Sequence, residues 1–210
     1  MMKILILGAT GSIGRRLVPQ ALAMGLEVTA LVRDPSKFEQ SDEHLRLTVG
    51  DALDPVAVDA AVRGQDAVIF SLGRSNPRTP TTLFSEATRI LILSMEAHGV
   101  RRLVCITGIG AGDSRGHGGF LYDKIIFPWF TKETYSDKDR QEALIRESSL
   151  DWIVVRPASF TNGPQIGNLR ALTDLKGVTI RSISRADTAA FVLEQLGSDR
   201  FLHQTPLVGY

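Results

Sequence analysis

The sequence predicts an α/β fold in which a doubly wound parallel sheet lies between two helical layers. Short runs rich in Ile, Leu and Val recur along the chain, and they are apolar on both faces, as are the buried strands of a parallel sheet. Segments with helical spacing separate these runs, which favours right-handed βαβ crossovers and a three-layer architecture. The predicted strands cover 3–8, 27–33, 45–51, 66–73, 101–108 and 151–157.

Helical periodicity is clearest in four segments. The first follows the first strand and stops at Gly25, and Pro19 lies inside it at a position that costs a backbone hydrogen bond. The third segment is amphipathic, and Ser184 is the predicted N-cap of the last one. The predicted helices cover 11–25, 81–99, 136–148 and 185–197.

The composition predicts one globular domain over residues 1–210. Hydrophobic residues make up 43% of the chain, which is enough to bury a full core. The 24 basic and 23 acidic residues nearly cancel, so we expect no general attraction to nucleic acid or to an anionic membrane. The chain begins without the pattern of a signal peptide, and no run reaches the roughly eighteen apolar residues that span a bilayer, so a soluble protein is expected.

Cysteine and histidine usage narrows the chemistry further. Cys105 is the single cysteine, which excludes an intramolecular disulfide and is typical of the cytoplasm. It lies among apolar neighbours, so we expect a core residue and not a nucleophile. The histidines show no ligand spacing, and no metal site is predicted.

Glycines at intervals of three residues follow the first strand: Gly8, Gly11 and Gly14. Between a first strand and a first helix, such a triplet indicates a dinucleotide-binding Rossmann fold. Gly8 would permit the tight turn, Gly11 would let backbone N–H groups approach a pyrophosphate, and Gly14 would let the helix pack closely on the strand. The alternative is a tight turn with no ligand.

The end of the second strand indicates which dinucleotide is bound. NAD enzymes place an acidic residue there to hold the ribose hydroxyls, whereas NADP enzymes need a cation for the phosphate. The segment "LVRDPSK" offers Arg33, with Ser36 and Lys37 as further donors, and NADP(H) is therefore favoured over NAD(H). Two alternatives stay open: Asp34 turns inward to the ribose, or Arg33 and Lys37 form a solvated face.

Asp51 follows the third strand. At that position its carboxylate is placed to accept a hydrogen bond from the adenine amino group. A turn or helix-capping role is equally supported, because the helical segment "DPVAVDAAV" comes directly after it.

Several stretches resemble the atypical short-chain dehydrogenase/reductase superfamily: "GATGSIG", "TALVRDPSKF", "GQDAVIFSLGRSNPRTPTT" and "MEAHGVRRLVCITG". Within it, the sequence is most similar to the biliverdin reductase B or NADPH-dependent flavin reductase type. That resemblance implies reduction of flavins or linear tetrapyrroles by NADPH. NmrA-like relatives imply a second possibility, dinucleotide binding without turnover.

The resemblance also implies a cofactor half over about 1–107 and substrate-side elements over about 108–135 and 158–185. It places the glycine-rich turn near the pyrophosphate and the end of the second strand near the 2'-phosphate. The ends of the third and fourth strands would lie near the adenine and the ribose. Together with the residues reasoned above, the expected cofactor contacts are Gly8, Thr10, Gly11, Ser12, Ile13, Gly14, Arg33, Ser36, Lys37, Asp51, Ala52, Leu72, Gly73, Thr107, Lys138, Pro157 and Ala158.

The catalytic side chains of ordinary short-chain dehydrogenases are matched only in part. Thr107 ends the fifth strand, and Gly108 stands where the flavin-reductase type has a serine. Tyr135 and Lys138 are three residues apart instead of four, which turns one of them by roughly 100° on a helix. Lys138 is expected to reach the nicotinamide ribose. The alternative is an exposed pair with Glu142 on a solvated helix.

Thr107 and Lys138 are thus the candidate catalytic residues. For Thr107, a buried strand residue whose hydroxyl bonds to the backbone is the alternative. Gly108, together with Ala158 in place of a family histidine, predicts a pocket less polar than that of the flavin-reductase type. Flavins and quinones can take their proton from water, so they are favoured as acceptors over a tetrapyrrole.

The segment "GGFLYDKIIFPWF" at 118–130 follows a glycine-rich stretch at 108–119 that is predicted to be a loop. It lies beyond the carboxyl end of the fifth strand, where ligands bind in such sheets. Its aromatic side chains are expected to stack on a flat substrate or to form a lid, and core packing or a dimer surface explains them equally well. They are Phe120, Tyr122, Phe127, Trp129 and Phe130.

The sequence therefore predicts an NADPH-dependent reductase that transfers hydride to a flat conjugated acceptor such as a flavin or a quinone. The alternative is a non-catalytic dinucleotide-binding regulator or assembly factor. A small-molecule acceptor is the expected partner, with no nucleic acid and no membrane, and the chain is expected to be a cytoplasmic monomer or homodimer.

Overall fold

The computed structural model describes residues 1–38, 40–74, 76 and 78–210. The predicted strands all form, each within a few residues of its expected bounds. In chain order the strands are β1 (Lys3–Leu7), β2 (Glu27–Val32), β3 (Leu45–Val49), β4 (Ala67–Phe70), β5 (Arg102–Ile106), β6 (Asp151–Pro157), β7 (Ser159–Thr161), β8 (Arg170–Leu172), β9 (Ser182–Ser184) and β10 (Leu207–Gly209).

Helices alternate with the strands. They are α1 (Gly14–Ala23), α2 (Pro55–Val62), α3 (Leu83–Ala97), α4 (Lys132–Glu147) and α5 (Arg185–Glu194), with 3₁₀ turns at Pro35–Lys37 and Gly112–Ser114 and a π-helix at Tyr122–Thr131. Pro19 lies inside α1 without ending it. The Ser184 hydroxyl accepts the Asp187 N–H at 2.9 Å, so Ser184 is the N-cap of α5, as predicted.

The main sheet has the order β3-β2-β1-β4-β5-β6-β10-β8 in the described part of the chain. Strands β1 to β6 run parallel, β10 adds to β6 in parallel, and β8 closes that edge as an antiparallel strand. Strands β7 and β9 form a separate parallel pair. The strand order reverses at β1, because β2 and β3 lie on one side of it and β4 to β6 on the other. This is the doubly wound arrangement, which confirms the predicted fold class.

Side chains alternate across the sheet and build a core on each face. Ile4 and Ile6 point to the layer that contains α1 and α5. Leu5 and Leu7 point to the layer that contains α2, α3 and α4. Leu7 is in register with Leu31 and with Phe70, so β1, β2 and β4 end level with one another. Their carboxyl ends therefore form one continuous edge on which a ligand can lie.

The structure adds elements that the sequence pattern did not predict. The helix expected at 136–148 begins at Lys132 and continues directly from the π-helix. The stretch at 108–119 contains a 3₁₀ turn, and the side chains of Ile109, Ala111 and Ser114 are buried in it. The short strands β7 to β10 are too brief for an apolar period to reveal them. No helix within the described ranges is both long enough and apolar enough to cross a membrane.

Candidate functional site

The turn between β1 and α1 is built from main chain in close contact. Gly8 has φ +88°, and a Cβ there would lie 2.5 Å from the Ser71 carbonyl oxygen at the end of β4. A Cβ on Gly14 would lie 2.5 Å from the Cα of Ala9. Both positions therefore accept only glycine, the first for its conformation and the second because α1 starts against the backbone of the turn.

Gly11 is less crowded than the other two glycines and lines the groove described below. Its N–H donates to the Gly8 carbonyl oxygen at 2.9 Å, and a Cβ would approach only main-chain oxygens, Gly8 at 3.1 Å and Ser71 at 3.9 Å. Helix α1 begins three residues later, so its positive dipole end points toward the same space. The turn thus offers bare backbone and a helix N-terminus to an anion.

A groove of about 730 Å³ runs along the sheet edge from this turn. That volume lies within the roughly 300–1,000 Å³ of small-molecule sites. The expected cofactor residues that line it are Gly8, Thr10, Gly11, Ser12, Arg33, Asp51, Ala52, Leu72 and Gly73. Lining residues that sequence reasoning missed are Leu7, Leu31, Val32, Gly50, Leu53, Arg74, Asn76, Thr81 and Leu83.

Other expected contacts lie outside that lining. Ile13 and Gly14 are buried beneath the turn. Ala158 is buried, and its Cβ lies 3.1 Å from where a Cβ on Gly209 would be, so it packs under β10 and does not face the groove. Pro157, which ends β6, is buried beside it, with its carbonyl oxygen accepting the Ile109 N–H at 3.0 Å.

The turn after β2 satisfies much of its own hydrogen bonding. The Asp34 carboxylate accepts from the Ser36 N–H at 3.1 Å and from the Ser36 hydroxyl at 2.6 Å, and the Lys37 ammonium lies 3.5 Å away. The hydrogen bonds from Ser36 lower the pKa of Asp34, so its negative charge is kept. Of the three predicted phosphate donors, Arg33 alone lines the groove, and it is exposed.

Arg15 ties this turn to the glycine-rich turn. Its Nε donates to the Thr10 carbonyl oxygen at 3.1 Å, and its terminal nitrogen donates to the Lys37 carbonyl oxygen at 3.2 Å. One guanidinium thus bridges the two loops at this end of the groove, which holds the distance between Arg33 and the backbone at Gly11.

Asp51 has the turn role that the sequence offered as one of two alternatives, and its contact with adenine stays a prediction. Its carboxylate accepts the Leu53 N–H at 2.9 Å, which is a turn role, and the residue also lines the groove. The cap of α2 is a different residue, Asp54, which accepts the Val56 N–H at 2.9 Å. The turn fixes the Asp51 carboxylate at the groove wall.

Beyond the groove, α4 presents polar side chains to the end of β5. The Lys138 ammonium donates to the Thr107 carbonyl oxygen and lies 5.1 Å from the centre of the Phe84 ring. Lys138 is buried, and that burial lowers its pKa to about 8. A lysine with this pKa is partly neutral at mildly alkaline pH, which is typical of functional lysines.

The expected alternative for Lys138, an exposed pair with Glu142, is wrong. Glu142 is fully buried and binds Arg156, with oxygen-to-nitrogen distances of 3.0 Å and 2.6 Å. Arg146 donates to the same carboxylate at 2.6 Å, and the Thr107 hydroxyl donates to it at 2.7 Å. Glu142 therefore neutralises the buried Arg156, whose guanidinium also pairs with Asp113.

Thr107 is held from two directions by this arrangement. Its carbonyl oxygen accepts from Lys138, and its hydroxyl donates to Glu142, both on α4. The expected alternative, a hydroxyl bonded to the backbone, is wrong in its partner, because the acceptor is a carboxylate. The hydroxyl proton is committed to Glu142, so Thr107 acts here by positioning Lys138.

Tyr135 fills the space that a side chain on residue 108 would occupy. Gly108 has φ +144°, and a Cβ there would collide with the Tyr135 hydroxyl. A Cβ on Gly110 would lie 2.7 Å from the Tyr135 ring. The Tyr135 hydroxyl therefore lies at the end of β5, so Gly108 and Ala158 do not by themselves make this end of the strand apolar. Burial raises the pKa of Tyr135, which keeps that hydroxyl protonated.

The aromatic segment divides into an inner and an outer set. Phe127 packs on Tyr135 with ring centres 5.7 Å apart, and Tyr122 is half-buried against the core. Core packing and contact with the candidate site explain these two side chains. Neither explains the outer set, Phe120, Trp129 and Phe130, because these side chains are exposed. Arg78, from the loop after β4, lies 4.4 Å from the centre of the Phe130 ring.

Asp137 holds α3 against α4, a role that the sequence pattern did not reveal. It is fully buried and accepts the Phe84 N–H at 2.8 Å and the Ser85 hydroxyl at 2.5 Å, at the first turn of α3. An acidic side chain from α4 thus caps α3, which fixes the two helices against each other one residue before Lys138. Only a tertiary contact supplies this cap, so a local capping motif could not predict it.

Cys105 lies in the core, as expected. Burial raises the pKa of its thiol, which leaves it uncharged and unreactive. Across the residues with described positions, no cluster of His, Cys, Asp and Glu side chains has the arrangement of a metal site.

Residues 8–199 match the protein family described as NAD(P)H-binding. A chloroplastic protein of Arabidopsis thaliana is 30% identical over 175 residues, which are 80% of this chain and 62% of that protein. The NAD(P)H azoreductase of Xenophilus azovorans is 29% identical over 75% of this chain and 48% of its own. Photosystem II assembly factor Ycf39 of Synechocystis is 25% identical over 99% of this chain and 63% of its own. The chain thus spans 48% to 63% of the length of these curated relatives.

Solved structures share the fold. ChuY of Escherichia coli O157:H7, described as an anaerobilin reductase, superposes with a TM-score of 0.83 at 24% identity, over 99% of this chain and 97% of the other. These comparisons confirm the Rossmann fold and the NAD(P)-binding resemblance that the sequence predicted.

The buried ion pair between Glu142 and Arg156 yields a stability prediction. Glu142→Ala leaves a buried guanidinium without its main partner, which costs about 3–5 kcal/mol. Urea unfolding followed by circular dichroism measures the loss. Glu86→Ala is the matched control, since Glu86 pairs with Arg89 at a half-exposed position, where an ion pair contributes about 0–1 kcal/mol. Equal losses in the two variants would contradict the assigned role of Glu142.

Proposed function

This chain belongs to the NAD(P)H-binding family, and from that premise we propose that it is an NADPH-dependent reductase whose acceptor is a flat conjugated molecule such as a flavin or a quinone. The observation that carries the proposal is the continuity of the sheet edge. A groove with bare backbone at one end leads along β1 and β4 toward Lys138 and Tyr135 at the end of β5.

The groove suits a dinucleotide in one direction. The pyrophosphate fits the open backbone at Gly11, where the dipole of α1 favours an anion. The adenosine half fits between Arg33 and Asp51, and the other half extends past Leu72 and Gly73 toward Thr107. In this placement Lys138, held by the Thr107 carbonyl oxygen, reaches the nicotinamide ribose.

A bound nicotinamide supplies the hydride, and the side chains of this chain supply the environment. Phe127, Tyr122 and Tyr135 form an aromatic wall beyond β5 that can stack on a planar acceptor and exclude water. The protonated Tyr135 hydroxyl is the polar group of that wall. The reductase relatives support hydride chemistry on this fold, in particular the NAD(P)H azoreductase.

A regulator or assembly factor that binds a dinucleotide without turnover is the second candidate. The similarity to Ycf39, a photosystem II assembly factor, over 99% of this chain favours it. The two candidates share the groove and differ in whether an acceptor is reduced, so binding and turnover must be measured separately.

Turnover tests the proposed function directly. Purified protein with NADPH and a panel of free flavins, quinones and a linear tetrapyrrole is expected to consume reduced nicotinamide, followed by its absorbance. Gly11→Asp places a carboxylate where the pyrophosphate fits and is expected to weaken NADPH binding at least tenfold, about 1.4 kcal/mol. Gly197→Asp, at an open surface position, is the control and should bind normally. Saturable binding with no turnover across the panel would favour the regulator.

Arg33 tests the proposed preference for NADP(H). Arg33→Ala is expected to raise the dissociation constant of NADPH by roughly ten- to a hundredfold, because a hydrogen bond to a charged group contributes about 1.5–3 kcal/mol. The affinity for NADH should change little, as measured by isothermal titration calorimetry. Arg16→Ala removes an exposed arginine of α1 that does not line the groove, and it should leave both affinities unchanged. An equal loss for the two cofactors would overturn the phosphate contact.

The lowered pKa of Lys138 leads us to expect that NADPH binding depends on pH. Its ammonium is charged below its pKa of about 8 and neutral above it, so NADPH affinity is expected to fall as the pH rises from about 7 to 9. Lys138→Met should bind more weakly at pH 7 and lose this slope. Lys176→Met, at an exposed position, should keep the wild-type profile. A flat profile in the wild-type protein would exclude contact between Lys138 and the cofactor.

A further inference from the structure

An exposed apolar face covers the outside of the π-helix and the turn before it. Phe120 is 78% exposed and Trp129 is 76% exposed. The other members are also exposed large apolar side chains: Leu121, Ile125, Ile126 and Phe130. We call these six residues the outer face. The inner side of the same helix carries Tyr122 and Phe127, which pack toward the candidate site.

The π-helix at Tyr122–Thr131 carries four of the six side chains: Ile125, Ile126, Trp129 and Phe130. With hydrogen bonds from i to i+5, a π-helix has roughly 4.4 residues per turn, so these four side chains fall within an arc of roughly 115°. Phe120 and Leu121 come directly before it. The exposed apolar side chains are therefore concentrated on one side of this helix, which points to a contact surface.

The outer face is large enough for an interface. Large apolar side chains of this kind carry about 150–250 Å² each, so the exposed fractions correspond to roughly 600–700 Å². The largest apolar patch on a monomeric protein covers about 300–600 Å². Stable interfaces bury about 1,200–2,000 Å² in total, and two copies of this face would bury roughly 1,200–1,400 Å².

The charges at the ends of the outer face favour a second copy of the chain. Lys124 stands at the first end, and Glu133 stands at the other. In an antiparallel pair of these helices, Lys124 of each subunit can meet Glu133 of its partner. At each end a basic residue is next to an acidic one, whereas attraction to an anionic membrane needs a cluster of basic residues.

We propose that the chain forms a homodimer through the outer face, with the two π-helices packed antiparallel about a twofold axis. A twofold interface uses the same patch on both subunits, and a self-complementary patch with opposite charges at its ends fits that requirement. The dimer buries the outer face and leaves the groove and the inner side of the helix free. It extends beyond the proposed function and does not depend on it.

Sedimentation equilibrium over a range of protein concentrations tests the proposal. The wild-type protein is expected to be dimeric, and Leu121→Glu/Trp129→Glu is expected to be monomeric. Val56→Glu is the matched control, because Val56 is 78% exposed on α2, away from the outer face, and this variant should stay dimeric. Circular dichroism and NADPH titration show whether each variant is folded.

Charge variants test the packing direction without adding a charge to the apolar face. Lys124→Glu sets like charges against the partner's Glu133 and should weaken the dimer at least tenfold. Adding Glu133→Lys to it restores opposite charges and should recover the affinity. A monomeric wild-type protein, a dimer that survives Leu121→Glu/Trp129→Glu, or charge variants without effect would overturn the proposal. So would a monomer that binds vesicles of phosphatidylcholine and phosphatidylglycerol, which would assign the face to a membrane.

Discussion

The close main-chain contact at the first turn is the constraint on which the candidate site depends. Gly14 brings the start of α1 against the backbone of Ala9, and Gly8 brings the end of β1 against the carbonyl group of Ser71. These contacts are possible only without a Cβ. They set the N-terminus of α1 at the carboxyl ends of β1 and β4. The space beside Gly11 is therefore lined by backbone and lies at the positive end of the helix dipole.

A second constraint holds the far end of the site, and it is electrostatic. Burying Arg156 and Glu142 has a desolvation cost that their attraction does not clearly exceed, so the pair is weak evidence for stability as such. Its geometric effect is definite. Glu142 binds Arg156 on β6 and the Thr107 hydroxyl at the end of β5, while Lys138 binds the Thr107 carbonyl oxygen. Helix α4 is thereby registered on both strands, which keeps Lys138 in one place.

The sequence predicted the parts of the molecule that local patterns encode. Buried parallel strands are apolar on both faces, and glycines at a strand-to-helix turn have a steric cause. The fold and about half of the residues that line the groove could therefore be predicted. Tertiary contacts could not. Glu142 resembled a surface partner of Lys138 because i,i+4 spacing cannot reveal a buried arginine on another strand. The π-helix was not predicted because helices were sought at a period of 3.6 residues. Gly108 suggested an apolar pocket because the sequence could not show that Tyr135, from α4, fills the space beside it.

The two candidate functions make different demands on the two ends of this edge. Binding a dinucleotide requires only the groove. Reduction also requires an acceptor held in contact with the nicotinamide and shielded from water, which is a task for the residues beyond β5. In this chain that region is highly ordered by contacts: Tyr135 is packed on Gly108, Gly110 and Phe127, and Lys138 is buried on Thr107. Burial lowers the pKa of Lys138, and buried groups with shifted pKa values cluster at functional sites. The far end of the edge, and not the glycine-rich turn, is therefore where a reductase and a regulator would differ.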